Sequence, residues 1–398
     1  MRIGMMADVY KPHVSGITNY ISLNKRYLEK AGHEVFIFTF GDLDYPDDES
    51  NIIRSPGLPL VDTGYTLNFR YRRAAKALLQ TMDLVHVHHP FLSGRLALNY
   101  CRPLHIPVVF TNHTRYDLYA QVYMPILPEE ISATFLQNYM PPFCAAVDLV
   151  VSPSPGMADV LRNLGVTSPI EVVPNGVELE NYQQICEDCR LEFGFTAQDV
   201  LLIYSGRLGP EKSVDYLIRV FAGVAETLEN VHLLIIGGGP EEENLKKLAA
   251  ENGIINRVHF FGMVPYEQVP KYLSMSDIFV TASVTEVHPL SVIEAMATGL
   301  PALGIRSVGV GDTIEDGRNG FLSSQNQAAF AAKLTRLCLD RNLRRKMGQA
   351  ARKDSVKYSI EHTMETMLGL YEGLAFAALP RRRSLRSRIR SLVERLRT

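Results

Sequence analysis

Short apolar runs recur along the chain and alternate with longer stretches in which apolar residues fall three and four positions apart. In the first half the short runs are Arg2 to Ala7, Glu34 to Thr39, Leu84 to His88, Val108 to Thr111, Leu149 to Ser152 and Ile170 to Val173. In the second half they are Val200 to Ser205, His232 to Gly237, Val258 to Phe261, Asp277 to Thr281 and Pro301 to Ile305. Strands of this length separated by helical patterns imply βαβ units and a parallel sheet. A segment without such runs, from Pro174 to about Asp199, divides the two series and opens with the turn signal Asn175-Gly176. The expected fold class is therefore α/β, with two Rossmann-like domains. Their expected boundaries are 1–174 and 175–357, followed by a helix over 358–378 and a separate tail over 379–398.

At 398 residues the chain exceeds the size at which single cores stop growing, which agrees with two domains. Apolar residues at 46% and charged residues at 21% describe a globular protein without disordered bias. Five cysteines in a chain this long form no disulfide framework, so a reducing cytoplasm is expected. Cys186 and Cys189 form a lone CxxC with no second pair at zinc spacing, and read as part of a surface helix. The N-terminal run is too short for the apolar core of a signal peptide, and no segment reaches the length of a membrane span.

In open α/β sheets ligands bind beyond the carboxyl ends of the strands, so the residues after each strand are the candidates for chemistry. The most informative stretch is Thr281 to Pro301, TASVTEVHPLSVIEAMATGLP. A strand end leads into a turn with Glu286 and His288, then into an apolar-periodic helix from Leu290, with Pro289 expected at the first helical position. A helix N-terminus offers unpaired amides and a partial positive charge, here those of Leu290 and Ser291, and so suits a phosphate. Glu286 and Glu294 frame it with carboxylates, which accept hydrogen bonds from sugar hydroxyls. Arg207 and Lys212, in YSGRLGPEKS, place two cations beside another helix start, where they suit a diphosphate. Gly16, after the first strand, would let a backbone approach a phosphate closely. His86 and His88 share a strand face with no third ligand in view and read as cleft lining rather than a metal site. Asp42-Leu43-Asp44 lies in an acidic loop with Asp47, Asp48 and Glu49 and reads as a solvated turn.

Glu286 and Glu294 in E-x7-E spacing, followed by EAMATGLP, resemble the retaining glycosyltransferases of family 4, and in particular the glycolipid-forming members. The resemblance runs to about residue 378. It implies the GT-B fold, with an acceptor domain first, a nucleotide-sugar domain second, and a last helix that returns to the first domain. Arg207 and Lys212 match the family's R-x4-K pair, His113 its histidine against the donor sugar, and His259 to Pro265, with Gly262 and Met263, the segment that contacts the base. Gly16 matches the glycine turn, with Ser15 where the family has a second glycine. Glu286 would then hold the transferred sugar and Glu294 the ribose. Arg115, Tyr116, Asp117 and Tyr119 would shape the acceptor entrance.

The reaction implied is transfer of a hexose from a UDP- or GDP-linked sugar to a hydroxyl, with retention, with no cofactor and no metal. Alternatives are transfer to a soluble or polysaccharide acceptor, a sugar-nucleotide epimerase on the same fold, and a non-catalytic sugar-nucleotide binder. Residues 381–398 contain eight Arg against one Glu, while the remaining 380 residues carry net −9. Leu385, Ile389, Leu392, Val393 and Leu396 form an apolar stripe in that tail, the pattern of a basic amphipathic helix on an anionic membrane. The expectation is a peripheral protein on the inner face of the cell membrane, with a lipid acceptor such as diacylglycerol and no nucleic-acid partner.

Overall fold

The computed structural model describes residues 1–13, 15–59, 66–68, 70–123, 129–183 and 189–382. The amphipathic stripe of the tail, beyond Arg382, and Cys186 lie outside them. The chain separates into two compact units. One holds Met1–His113, Pro128–Asn175 and the chain from Glu361; the other holds Thr114–Leu127 and Gly176–Ile360.

The first unit is built on a parallel seven-stranded sheet of β1 (Arg2–Met6), β2 (Glu34–Phe40), β3 (Ile52–Ser55), β4 (Leu84–Val87), β5 (Val108–Thr111), β6 (Leu149–Ser152) and β7 (Ile170–Val172). Their spatial order is β3-β2-β1-β4-β5-β6-β7. β2 is buried from Val35 to Phe40, as expected of a strand covered on both faces. The order reverses between β1 and β4, and at such a switch point the flanking turns diverge and leave a crevice. Helix α1 (Gly16–Lys30) follows β1, its N-terminus capped by Ser15 Oγ, which accepts from the amide of Thr18 at 3.2 Å.

The second unit repeats the arrangement with β8 (Val200–Ser205), β9 (Val231–Ile236), β10 (Val258–Gly262), β11 (Ile278–Thr281), β12 (Ala302–Ile305) and β13 (Gly320–Ser323), in the order β10-β9-β8-β11-β12-β13. Strand alternation divides its core in two. Val200, Leu202 and Tyr204 join one apolar cluster with the helix Val214–Ala225, and Leu201 and Ile203 join the other with Val292, Ile293 and Met296. The switch point here lies between β8 and β11.

The last helix spans Ile360–Arg382 and buries Tyr371 in the first unit. Among the described residues no helix is long and apolar enough to cross a membrane. β3 and β13, both at sheet edges, had no counterpart among the expected strands. Three readings need correction. His86 and His88 are fully buried and hydrogen-bonded, not cleft lining. Cys189 is fully buried and disulfide-bonded, not an exposed surface position. Asp42 and Asp44 are exposed, but Asp47 pairs with Arg54 and both Asp48 and Glu49 pair with Lys11, so that end of the loop is held by ions rather than freely solvated.

Candidate functional site

The turns after β8 and β11 flank the switch point of the second unit, and their side chains meet. Lys212 closes a short 3-10 turn, Pro210–Lys212, where Gly209 leaves room for the Glu211 carboxylate, whose Oε2 lies 2.2 Å from where a Cβ would project. Lys212 Nζ donates to Glu286 Oε1 at 2.6 Å, with each side chain about one-fifth exposed. Burial opposes the charge on both groups, yet each favours the other's. The Lys212 ammonium holds Glu286 below the usual carboxylate range, and Glu286, with Tyr119 and Tyr204, pushes Lys212 above the usual lysine range.

The loop bearing Glu286 is fastened from behind. Gly309 donates its amide to the Glu286 carbonyl at 3.1 Å, and a Cβ on Gly309 would come within 2.3 Å of the Val287 backbone. Gly309 lies in a short helix, Val308–Thr313. Thr285 Oγ1 donates to the Glu211 carbonyl at 3.3 Å and joins the two turns directly. His288 is buried against the Tyr358 ring at 4.9 Å, and burial lowers its pKa to about 3, so it is a neutral packing residue at pH 7.

From this loop the chain enters helix Leu290–Thr298. Pro289 is its N-cap, with ψ 109°, and not its first helical residue as expected; it supplies no side-chain cap. The amides at Leu290 and Ser291 therefore open the helix without a capping oxygen, and a helix end of this kind attracts an anion. Arg207 is exposed on the turn after β8, with its carbonyl fixed by the Tyr204 hydroxyl at 3.0 Å. Two cations and one bare helix start thus come from the turns beside one switch point.

Eight residues past Glu286, Glu294 lies only 5% exposed on the same helix. Tyr266 donates to its Oε1 at 2.9 Å. Burial raises the pKa of Glu294 to about 7, against the lowering effect of Tyr266 and Tyr182. Tyr266 follows the turn bearing Gly262 and Met263, where Gly262 has φ +65° and Met263 is 68% exposed. The turns after β8, β9 and β10 are stitched together by backbone bonds from Leu208 N to Gly238 O at 2.9 Å and from Gly237 N to Gly262 O at 2.9 Å. Tyr266 had no signal in the sequence, because nothing in its spacing from Glu294 announces a contact between different elements.

The segment Thr114–Leu127 belongs to this unit. Its helix, Tyr116–Tyr123, lies by the turn that carries Lys212. Burial raises the Tyr119 phenol pKa; Lys212 and Arg207 act against that, and Glu211 and Glu286 with it. Tyr119 is thus within electrostatic reach of the cation pair, and Arg115 is paired with Asp117 at 2.6 Å.

In the first unit, Gly16 begins α1 with open space where a Cβ would project. His113 follows β5 and is partly buried, with its Nε2 3.1 Å from His88 Nδ1. Among the described residues no group of three or more His, Cys, Asp or Glu could hold a metal ion.

The family models for glycosyltransferase family 4 and for glycosyl transferases group 1 match residues 14–181 and 190–354. Alpha-monoglucosyldiacylglycerol synthase of Streptococcus pneumoniae is 32% identical over 333 residues, which cover 81% of this chain and 75% of that protein. The protein of the same name from Acholeplasma laidlawii is 26% identical over 347 residues, covering 82% and 86%. Among solved structures, sucrose-phosphate synthase from Thermosynechococcus elongatus superposes with a TM-score of 0.77 at 21% identity, over 95% of this chain and 99% of that one. Two consecutive family matches, a relative above 30% identity over most of its length, and the double parallel-sheet fold agree: the chain belongs to the family 4 glycosyltransferases, with the GT-B fold.

Proposed function

We propose that this glycosyltransferase moves a hexose, with retention, from a nucleoside diphosphate sugar to the hydroxyl of a membrane lipid such as diacylglycerol. The observation that carries the donor half is the Lys212–Glu286 pair beside the uncapped start of helix Leu290–Thr298. The diphosphate takes the two cations and the amides of Leu290 and Ser291, with the Gly16 backbone as a further contact. Glu286 holds the hexose, Glu294 the ribose, the turn at Gly262 and Met263 the base, and His113 a hydroxyl of the sugar. Support for the lipid half comes from the names of the S. pneumoniae and A. laidlawii relatives.

In the reaction the bond from the anomeric carbon to the phosphate oxygen breaks, and a bond from that carbon to the acceptor oxygen forms on the same face. The acceptor proton goes to the departing phosphate, so the products are a glycolipid and a nucleoside diphosphate. Charge on the leaving group is met by Lys212, Arg207 and the helix amides, which makes a divalent ion unnecessary. Neither carboxylate is assigned as a nucleophile. The arginine-rich tail, residues 381–398, holds the enzyme to the anionic face where its acceptor lies.

The test is release of nucleoside diphosphate from UDP- and GDP-sugars with and without diacylglycerol in mixed micelles. Release that requires the lipid, with a product heavier by one hexose and of unchanged anomeric configuration, is expected. Interconversion of the sugar nucleotide without acceptor would replace this reading with an epimerase, and transfer only to soluble glycans would remove the lipid.

A further inference from the structure

A buried polar cluster lies under the C-terminal ends of β4 and β5 in the first unit. His86 uses both ring nitrogens: Nδ1 is 2.5 Å from the Tyr371 hydroxyl, and Nε2 is 2.7 Å from Thr111 Oγ1. His88 uses one. Its Nδ1 is 3.1 Å from His113 Nε2, and its own Nε2 is buried with no hydrogen-bond partner among the described residues. His113 makes that bond through Nε2, which leaves Nδ1 as its remaining nitrogen. Rings confine the pair on other sides, with Tyr20 at 4.6 Å from His113 and 5.7 Å from His88, and His86 at 4.2 Å from His88.

Burial, and then the neighbouring imidazoles, push the pKa values of His88 and His113 well below the ordinary histidine value, so both are neutral at pH 7. A neutral imidazole carries one proton, on one of its two nitrogens. Between His88 Nδ1 and His113 Nε2, then, one must donate and the other accept. If His113 donated, His88 Nδ1 would be bare and its proton would sit on Nε2, a buried N–H with nothing to accept it. In the reverse arrangement only a bare acceptor is left over. Buried donors without partners are rarer than under-satisfied acceptors, so the reverse arrangement is favoured.

We propose that His88 is a positioning residue: it donates from Nδ1 to His113 Nε2, fixes His113 as the Nδ1–H tautomer, and so makes the remaining nitrogen of His113 a hydrogen-bond donor. That nitrogen then takes an oxygen lone pair, as a sugar hydroxyl offers, and rejects a group that can only donate. The tautomer follows from the geometry of the cluster alone; its use in transfer rests on the reading of His113 as a contact to the hexose.

The full chain labelled with 15N-histidine, without donor, is examined by two-bond proton–nitrogen correlation, with His88→Asn and His113→Asn used for assignment. The expected wild-type pattern is a protonated Nδ1 and a bare Nε2 on His113. His88→Leu should release His113 into a tautomer mixture and lower kcat by roughly tenfold, less than the loss for removing a charge-stabilising donor itself, with donor KM little changed. His88→Asn places an amide N–H where Nδ1–H was and should keep both the tautomer and the activity. It also keeps the test open if the leucine variant fails to fold. A wild-type His113 protonated on Nε2, or a folded His88→Leu protein with full activity and an unchanged tautomer, would overturn the proposal. Full activity of His113→Ala would instead remove the hexose contact, and with it the catalytic consequence, while the spectrum would still stand on its own.

Discussion

Lys212 Nζ lies 2.6 Å from Glu286 Oε1, although 74 positions separate the two residues in the chain. They are neighbours because β8 and β11 are adjacent where the strand order of the second sheet reverses, so the turns leaving them flank one crevice and these two side chains meet across it. The ammonium neutralises Glu286 in this pair, and on the proposed function an arriving diphosphate would compete for it and release Glu286 to the hexose.

Removing either cation should therefore be costly. Lys212→Met and Arg207→Ala are each expected to lower kcat/KM by roughly 10²-fold, on the scale of one lost charge-stabilising donor. Lys212→Met additionally leaves a Glu286 carboxylate facing the diphosphate without its partner. Glu286→Gln in that background should recover part of the nucleoside diphosphate affinity, a coupling that calorimetry on the two single variants and the double variant will read. Strictly additive losses would show that the two side chains do not share the phosphate site.

Glu294 gives the protein a pH dependence with a definite sign. Its pKa of about 7 lies above the ordinary glutamate value of 4.5, so the folded state binds this proton more tightly than the unfolded chain does. Stability of the donor-free protein should then fall as pH rises from about 4.5 to about 7, by roughly 3 kcal/mol from this group, and level off above. Ribose hydroxyls need the ionised form as acceptor, so donor affinity should move the opposite way and strengthen up to about pH 7. Glu294→Gln should flatten both trends, and Glu294→Ala should raise the donor Kd roughly ten- to a hundredfold, as expected for losing a buried charged hydrogen bond. Tyr266→Phe removes the hydroxyl that lowers this pKa, so the affinity midpoint should move to higher pH. Wild type and Glu294→Gln with the same pH profile would exclude Glu294 from the ribose contact.

The two parallel sheets were legible because strands covered on both faces are written as uninterrupted apolar runs, such as Val200 to Ile203 and Leu233 to Ile236, with helical periods between them. β3 and β13 were not, since they are four-residue edge strands carrying Arg54 in one case and bounded by polar residues in the other. Local chemistry was equally readable: E-x7-E, the R-x4-K pair and the helix start at Leu290 each lie within one turn of chain. What spacing cannot show is which side chains of different elements meet. The Tyr266–Glu294 bond, the His86–Tyr371 bond across 285 positions, and the place of Tyr119 beside Lys212 all depend on strand order and on where a loop is laid down. Asp47 and Glu49 were misread for the same reason, since their partners Arg54 and Lys11 are distant in pattern though close in space.

Transfer should persist in EDTA if, as proposed, the phosphate charge is met by Lys212, Arg207 and the amides of Leu290 and Ser291. Initial rates with and without chelator, on protein first stripped of adventitious ions, will check this. Complete loss restored by Mg²⁺ or Mn²⁺ would bring a metal into the mechanism.

The final prediction concerns the tail, RRRSLRSRIRSLVERLRT. Leu385, Ile389, Leu392, Val393 and Leu396 recur at i, i+4, i+7, i+8 and i+11, and the positions between them are almost all Arg or Ser. A helix of this pattern lies in a membrane interface, with roughly 1 kcal/mol per basic residue near an anionic surface. That attraction is screened over about 10 Å at 0.1 M salt, so binding must weaken as salt rises. The rest of the chain carries net −9, so its overall charge offers no attraction to the same surface and the tail is the part expected to supply it. Sedimentation with phosphatidylglycerol vesicles should bring down the full chain at low salt and much less of it at high salt. A chain ending at Leu379 should stay in solution, yet keep its nucleoside diphosphate affinity and its transfer to acceptor presented in neutral detergent micelles. Equal sedimentation of the two chains would remove the tail as the anchor, and sedimentation of neither would count against a membrane lipid as the acceptor.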